Sequence, residues 1–150
     1  PWGRPDMALF KFTKNILLGK KIEVYNSGKM KRDFTYVGDL VESIRLLISK
    51  PPKQNSKIKE DSKSPVAPFR VINIGNSNEI KLLDFIKYLE NKIGKKAMMK
   101  MLPMQKGDVK RTFADTTLLK KLTGFQPKTN IEDGIEEFIK WYKNYYKIKN

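Results

Sequence analysis

The ten residues Lys31 to Leu40, K-R-D-F-T-Y-V-G-D-L, constrain the fold more than any other stretch of the chain. They follow a turn signal at Asn26-Ser27-Gly28. Phe34, Thr35, Tyr36 and Val37 alternate apolar and polar character, the pattern of a short half-buried strand. Gly38-Asp39 then leads into a helical pattern. Asp39 with Glu42 three residues on predicts a variant capping box for a helix starting at Leu40. The stretch thus reads as a turn-strand-cap-helix unit, and the alternation of helices and strands along the rest of the chain makes the class α/β. Two bases, Lys31 and Arg32, stand at the mouth of this unit. A guanidinium held there can grip a phosphate or carboxylate with two parallel hydrogen bonds. Taken alone, the ten residues favour solvated hairpin bases over such a grip.

The rest of the chain repeats the alternation of helix and strand. Pro5 to Leu18 reads as a helix with Leu9, Phe12 and Ile16 on one face and Gly19 as its stop. Ile22 to Tyr25 reads as a strand. Leu40, Ile44, Leu47 and Ile48 predict one apolar helix face, ended by Pro51-Pro52. Residues 53–68 are polar, charged and poor in large apolar groups, which predicts a flexible surface loop. Phe69 to Ile74, F-R-V-I-N-I, reads as a buried strand of a parallel sheet. A helix follows with Leu82, Phe85, Ile86, Leu89 and Ile93, stopped by Gly94. Ala97 to Leu102 reads as a strand in which Met98, Met99 and Met101 fill a core rather than bind metal. Asp115 is expected to cap a short helix closed by Gly124. A last helix begins near Asn130, carries Glu132 and Asp133 in its first turn, and docks through Ile131, Ile135, Phe138, Ile139 and Tyr142. Trp141, Tyr142, Tyr145 and Tyr146 fit that docked helix better than a base-stacking platform.

Composition removes several function classes. The 150 residues contain no Cys and no His, so they offer no disulfide framework, no thiolate site, no usual zinc site and no histidine-based triad. No metal is expected. No apolar run in these residues is long enough to span a bilayer. The net charge of +15 raises the idea of a nucleic-acid binder. The excess, however, comes from 26 lysines scattered along the whole chain against five arginines, Arg4, Arg32, Arg45, Arg70 and Arg111. A basic nucleic-acid module is therefore only a remote alternative, and neither a nucleic-acid nor a membrane partner is expected.

Three features could carry chemistry together. Gly3-Arg4-Pro5-Asp6-Met7 puts a cation at a helix start, where the dipole also favours an anion. Tyr25 and Arg32 supply an aromatic face and a guanidinium at opposite ends of a hairpin. Gln105-Lys106-Gly107-Asp108 is a glycine loop with one carboxylate. An aromatic ring for a base, an arginine for phosphates and a carboxylate for ribose hydroxyls would make a nucleotide site.

Four motifs then sharpen this. P-W-G-R-P-D-M-A at the start, R-D-F-T-Y-V-x-D-L, F-R-V-I-N-I-G-N, and L-P-M-Q-K-G-D-V with a following A-D resemble, in the same order, the C-terminal half of the extended short-chain dehydrogenases. Within that family the chain looks like the NAD-dependent sugar-nucleotide epimerase/dehydratase group, and P-W-G-R-P-D-M-A most resembles UDP-glucuronate 4-epimerases. The resemblance covers essentially all of residues 1–150. It implies an α/β C-terminal portion of a Rossmann-type enzyme: a small UDP-sugar-binding region plus a late strand and helices of the parallel sheet. It further implies interconversion of UDP-glucuronate and UDP-galacturonate through a transient 4-keto sugar, a cytoplasmic homodimer, and NAD as cofactor. UDP-glucose 4-epimerase, a nucleotide-sugar dehydratase or UDP-glucuronate decarboxylase remain alternatives.

The family's glycine fingerprint for NAD does not occur. Tyr-x-x-x-Lys occurs at Tyr25/Lys29, Tyr88/Lys92 and Tyr145/Lys149, in a chain where lysine is abundant, and none stands where the family keeps its catalytic pair. The resemblance places the catalytic pair and the NAD-binding part upstream of Pro1, so no catalytic residue is assigned and the chain is expected to be a fragment. An isolated Phe69–Ile74 strand would then expose apolar edges. What the resemblance carries over is substrate binding. Arg4 matches the arginine near the sugar carboxylate. Val24, Tyr25 and Asn26 match the segment that holds uracil. Arg32 matches the diphosphate arginine, and Asp108 the ribose carboxylate. Gln105 stands where relatives acting on neutral sugars often carry a second phosphate-binding arginine, so the phosphate grip would rest on Arg32, helped by Lys31 or Lys106.

Overall fold

The computed structural model describes residues 5–53, 58–59 and 61–148. Their elements run α1 (Ala8–Leu17), β1 (Ile22–Val24), a 3-10 turn (Tyr25–Gly28), β2 (Lys31–Asp33), α2 (Val37–Ile48), β3 (Glu79–Lys81), α3 (Leu82–Ile93), β4 (Met99–Met101), α4 (Thr117–Thr123) and α5 (Ile131–Tyr145). β1 pairs in parallel with β4, Ile22 opposite Met99 and Val24 opposite Met101, and β2 pairs with β3. The architecture is mixed α/β with parallel pairing, as the alternating pattern predicts.

The chain divides into two compact units. The first comprises the described residues of Pro1–Arg32, Ile80–Arg111 and Asn130–Asn150. Three amphipathic helices wrap its core: Phe12 and Ile16 from α1, Phe85, Ile86, Leu89 and Ile93 from α3, and Ile135, Ile139 and Tyr142 from α5. Ile22 and Val24 of β1 are fully buried with them. Phe10 meets Phe138, Tyr142 and Tyr146 edge-on at 5.1–6.2 Å, so the aromatic residues of α5 serve helix docking. Burial raises the Tyr142 phenol above its ordinary range, with the neighbouring Tyr146 adding to the shift. Gly94 ends α3 in the left-handed conformation, where glycine carries no Cβ penalty.

The second unit comprises Asp33–Glu79, as far as described, and Thr112–Thr129. α2 lies on α4, with Ser43 and Leu119 among its buried side chains. Carboxylates knit its loops. Asp33 accepts the backbone N–H of Asn76 (3.1 Å), Ser77 (3.0 Å) and Ala114 (3.0 Å). Gly75 is required beside it: a Cβ there would lie 2.4 Å from Cβ of Ala114 and 3.0 Å from the Asp33 carboxylate. Arg70 forms a bidentate, nearly fully buried pair with Asp61, both bonds 2.7 Å.

Four expectations are corrected. The strand lies at Lys31–Asp33, not Phe34–Val37, because the ladder partners are there: Lys31 N–H donates to the Lys110 carbonyl at 3.0 Å, and β3 lies alongside β2. Helix α2 starts at Val37, so Asp39 sits in its first turn and is not the cap. Its carboxylate instead accepts the N–H groups of Lys128 (3.0 Å) and Thr129 (2.9 Å), and Glu42 grips Arg45. Phe69–Ile74 is not a strand. Only Arg70 makes a bridge, antiparallel to Lys63, and Phe69 and Val71 are exposed. No described strand lies beside it to satisfy its backbone, and a lone strand has no ladder. Finally, Met98, Met99 and Met101 are exposed: among the described residues β4 pairs only with β1, and no packed layer covers these side chains.

Candidate functional site

The parallel pairing of β1 with β4 decides where the sequence-predicted residues meet. It sets the C-terminal ends of the two strands side by side, and the segments leaving them are Val24-Tyr25-Asn26 and Leu102–Asp108. The Leu102 N–H donates to the Val24 carbonyl at 2.9 Å, and the Ser27 N–H to the Leu102 carbonyl at 3.3 Å. Beyond the carboxyl ends of parallel strands is where open α/β sheets hold ligands.

The turn after β1 is sharp. Asn26, Ser27 and Gly28 all have positive φ, 50°, 48° and 75°. Asn tolerates this conformation and Gly28 is compelled twice, since a Cβ would also sit 2.5 Å from Leu83 Cδ2. The turn leaves Val24 buried and the Tyr25 ring half-buried. The Tyr25 hydroxyl donates to Glu23 Oε2 at 3.1 Å, a bond that raises the phenol above its ordinary range. Glu23 had no signal in the sequence beyond its place two residues before Tyr25.

Arg32 lies on β2, which meets the far end of the loop that leaves β4. Lys31 forms a parallel bridge with Arg111, and this registers β2 against the end of the 105–111 loop. The loop turns at Gly107 (φ 82°), and the Asp108 N–H closes back on the Gln105 carbonyl at 3.3 Å. As a result Arg32 Nη2 donates to Asp108 Oδ1 at 2.8 Å across 76 residues of sequence. Arg32 Nη1 donates to the Lys31 carbonyl at 2.9 Å. Both charged side chains keep part of their surface open to solvent, 25% for Arg32 and 33% for Asp108. The first unit thus carries Val24, Tyr25, Asn26, Arg32, Gln105 and Asp108 on elements tied to one another by backbone hydrogen bonds. Arg4 lies outside the described residues. A shallow groove of about 740 Å³ exists elsewhere on this unit, lined by Lys92, Glu136, Lys140 and Lys143 among others, and contains none of the predicted site residues.

Chemically, these described residues offer hydrogen-bond donors, an acceptor and an aromatic face. An aromatic ring, a guanidinium fork and a carboxylate acceptor are the groups that recognise a base, a phosphate and a diol. Among the described residues no cluster of acidic side chains is placed to hold a metal ion.

Comparison with known proteins agrees with this fold. The family model described as GDP-mannose 4,6 dehydratase matches residues 5–138, and the chain belongs to this family of NAD-dependent epimerases and dehydratases. Among relatives, it is 50% identical to a 37.6 kDa protein of the cld 5' region of Escherichia coli O111:H-, covering 99% of this chain and 45% of that one. It is 47% identical to the "Probable UDP-glucuronate 4-epimerase" of Rhizobium meliloti (strain 1021), covering 98% of this chain and 44% of that protein. The structure of UDP-glucuronic acid 4-epimerase from Bacillus cereus, in complex with UDP-glucuronic acid and NAD, superposes on 97% of this chain and 42% of its own with a TM-score of 0.79 at 30% identity. The chain therefore spans a little under half the length of these relatives.

Proposed function

We propose that residues 1–150 are the UDP-sugar-binding region of a UDP-glucuronate 4-epimerase, which interconverts UDP-glucuronate and UDP-galacturonate through a transient 4-keto sugar. The observation that carries this reading is the 2.8 Å meeting of Arg32 with Asp108, whose loop leaves β4, the strand paired in parallel with β1 ahead of the Val24–Asn26 turn. The names of relatives that cover nearly all of this chain support it.

Each residue has a role its chemistry suits. Tyr25 and the backbone of Val24 and Asn26 cradle the uracil. Arg32 grips the diphosphate with the N–H donors it has not already committed. Asp108 accepts from the ribose hydroxyls. Gln105 offers a neutral amide to the same phosphates, where a second cation would pull harder. By the resemblance alone, Arg4 would face the sugar carboxylate.

NAD supplies the hydride acceptor and donor of such an epimerase. The described residues do not fit it. Its pyrophosphate needs a glycine turn that feeds a helix directly after a parallel strand. Among the described glycines of positive φ, Gly19, Gly94 and Gly124 follow helices, and Gly28 and Gly107 sit in turns that lead into no helix. No residue of this chain is assigned to NAD or to proton transfer at the sugar. Among the described residues no helix is long and apolar enough to cross a membrane. The proposed setting is the cytoplasm, with a homodimer of the whole enzyme and no nucleic-acid partner.

Calorimetry of UDP binding to the intact enzyme tests the site. Arg32→Ala should lose about tenfold or more in affinity, the usual size of a charge-assisted contact. Undiminished binding would end the phosphate role. Faster turnover of UDP-glucose than of UDP-glucuronate would end the choice of sugar.

A further inference from the structure

We propose that Asp108 is the positioning residue of the phosphate grip: it fixes the Arg32 guanidinium with one carboxylate oxygen and keeps the other for the ligand. The proposal rests on reading this cluster as the UDP-sugar site, and it gives Asp108 a second task beyond the ribose contact.

The hydrogen bonds of the two groups carry the argument. Asp108 Oδ1 accepts twice, from Arg32 Nη2 at 2.8 Å and from the Val109 N–H at 2.8 Å. The Val109 bond orients the carboxylate from its own backbone, and the turn closed by Asp108 N–H on the Gln105 carbonyl fixes the backbone beneath it. No hydrogen bond of Oδ2 is found among the described residues, so this oxygen remains to accept from a ribose diol. On the other side, Arg32 commits one Nη1 and one Nη2 donor, to the Lys31 carbonyl and to Asp108. Its remaining N–H groups stay available to phosphate oxygens.

A long arginine side chain at a partly open surface otherwise samples many rotamers, and ordering it on ligand binding costs affinity. Two fixed acceptors, one at the base of its own strand and one across the site, hold the fork before the ligand arrives. The carboxylate also partly balances the guanidinium in the empty state. The pair remains intact when the nucleotide binds, because ribose and diphosphate are recognised by atoms the pair does not use.

The test compares ligands with and without ribose on the intact enzyme. UDP and inorganic pyrophosphate are titrated into wild type, Asp108→Ala, Asp108→Asn, Arg32→Ala and the Arg32→Ala/Asp108→Ala double variant, with thermal melting to verify folding. Pyrophosphate has no ribose, so an Asp108 that serves only the diol leaves its affinity unchanged. The expected result is a loss of about threefold or more for pyrophosphate in Asp108→Ala, a smaller loss in Asp108→Asn, and no further pyrophosphate loss when Asp108→Ala is added to Arg32→Ala. UDP affinity should fall more, since both contacts go. If Asp108→Ala weakens UDP but not pyrophosphate, positioning is refuted and the ribose role stands. If UDP or pyrophosphate binds more tightly, the pair is a latch the ligand must open, and the proposal is also refuted. If neither Asp108 nor Arg32 affects UDP, the reading of the cluster as a nucleotide site fails with it. Asp108→Asn preserves shape, so a misfolded alanine variant leaves the comparison readable.

Discussion

The two units hold themselves together by different means. The first buries apolar faces of α1, α3 and α5 against one another and against β1, so its helices satisfy themselves within the unit. In the second, the corresponding face of α2 stays open: Val37, Val41, Ile44 and Ile48 recur at helical spacing and are 48–77% exposed. Its order comes from carboxylates instead. Asp33 and Asp39 collect backbone N–H groups from distant loops, and Asp61 locks Arg70. The contrast teaches where precision is available. The candidate site sits in the first unit, on strands and turns backed by a close-packed core, which is the setting that keeps binding groups within tenths of an ångström.

If that contrast is right, truncating a core residue of the first unit should be the most costly change. Phe85 is fully buried, with its ring 6.4 Å from that of Phe12. Phe85→Ala should cost about 3–5 kcal/mol in urea denaturation, through lost transfer energy plus a cavity. Ile44→Ala on the open face of α2 should cost less than about 1 kcal/mol. Equal costs would mean that α2 is buried in solution and would erase the difference between the units.

The second unit should fail through its carboxylates. Asp33→Ala leaves three backbone N–H groups without their acceptor. The expected loss is about 2–3 kcal/mol, since these bonds are charge-assisted but partly open to water. Hydrogen exchange gives the local reading: the amides of Asn76, Ser77 and Ala114 should exchange much faster, while those of α3 keep wild-type protection. Unchanged exchange at the three amides would remove Asp33 as the staple of this unit.

What could be read beforehand follows the same division. Local signals were legible: the helical spacing of α3 and α5, and the glycine stops at Gly19, Gly94 and Gly124, all hold. Errors fell where a partner far along the chain decides. Asp39 carries every local mark of a cap, yet donors at Lys128 and Thr129 claim its carboxylate. The strand register around Arg32 is set by Lys110 and β3, not by the alternation of Phe34 to Val37. Phe69–Ile74 has the composition of a strand, but beyond the single Arg70–Lys63 bridge no described strand lies beside it. For the site, motifs pointed to Arg32 and Asp108 one at a time. Their contact across 76 residues depends on the β1–β4 pairing and the Lys31–Arg111 bridge, and no spacing within one segment encodes that.

The smallest expected effect concerns a polar contact that joins two core helices of the first unit. Glu136 of α5 meets Lys140 at 2.7 Å and Lys92 of α3 at 2.5 Å. Hydrogen bonds from Lys140, then Lys92, lower its carboxyl from the ordinary 4.5 to about 2. A carboxyl depressed in the folded state stabilises the fold above its unfolded pKa and loses that contribution as pH falls through the folded value. The pair should therefore help fully at pH 7 and fade between about pH 4.5 and 2. All three side chains remain open to water, which screens the interaction and keeps its size small. Urea midpoints of wild type and Glu136→Gln, measured at pH 7, 4.5 and 2, should differ modestly at the first two and converge at the third. A difference that persists at pH 2 would show that Glu136 acts through packing rather than charge, which would sharpen the reading of the first unit as held chiefly by its buried apolar faces.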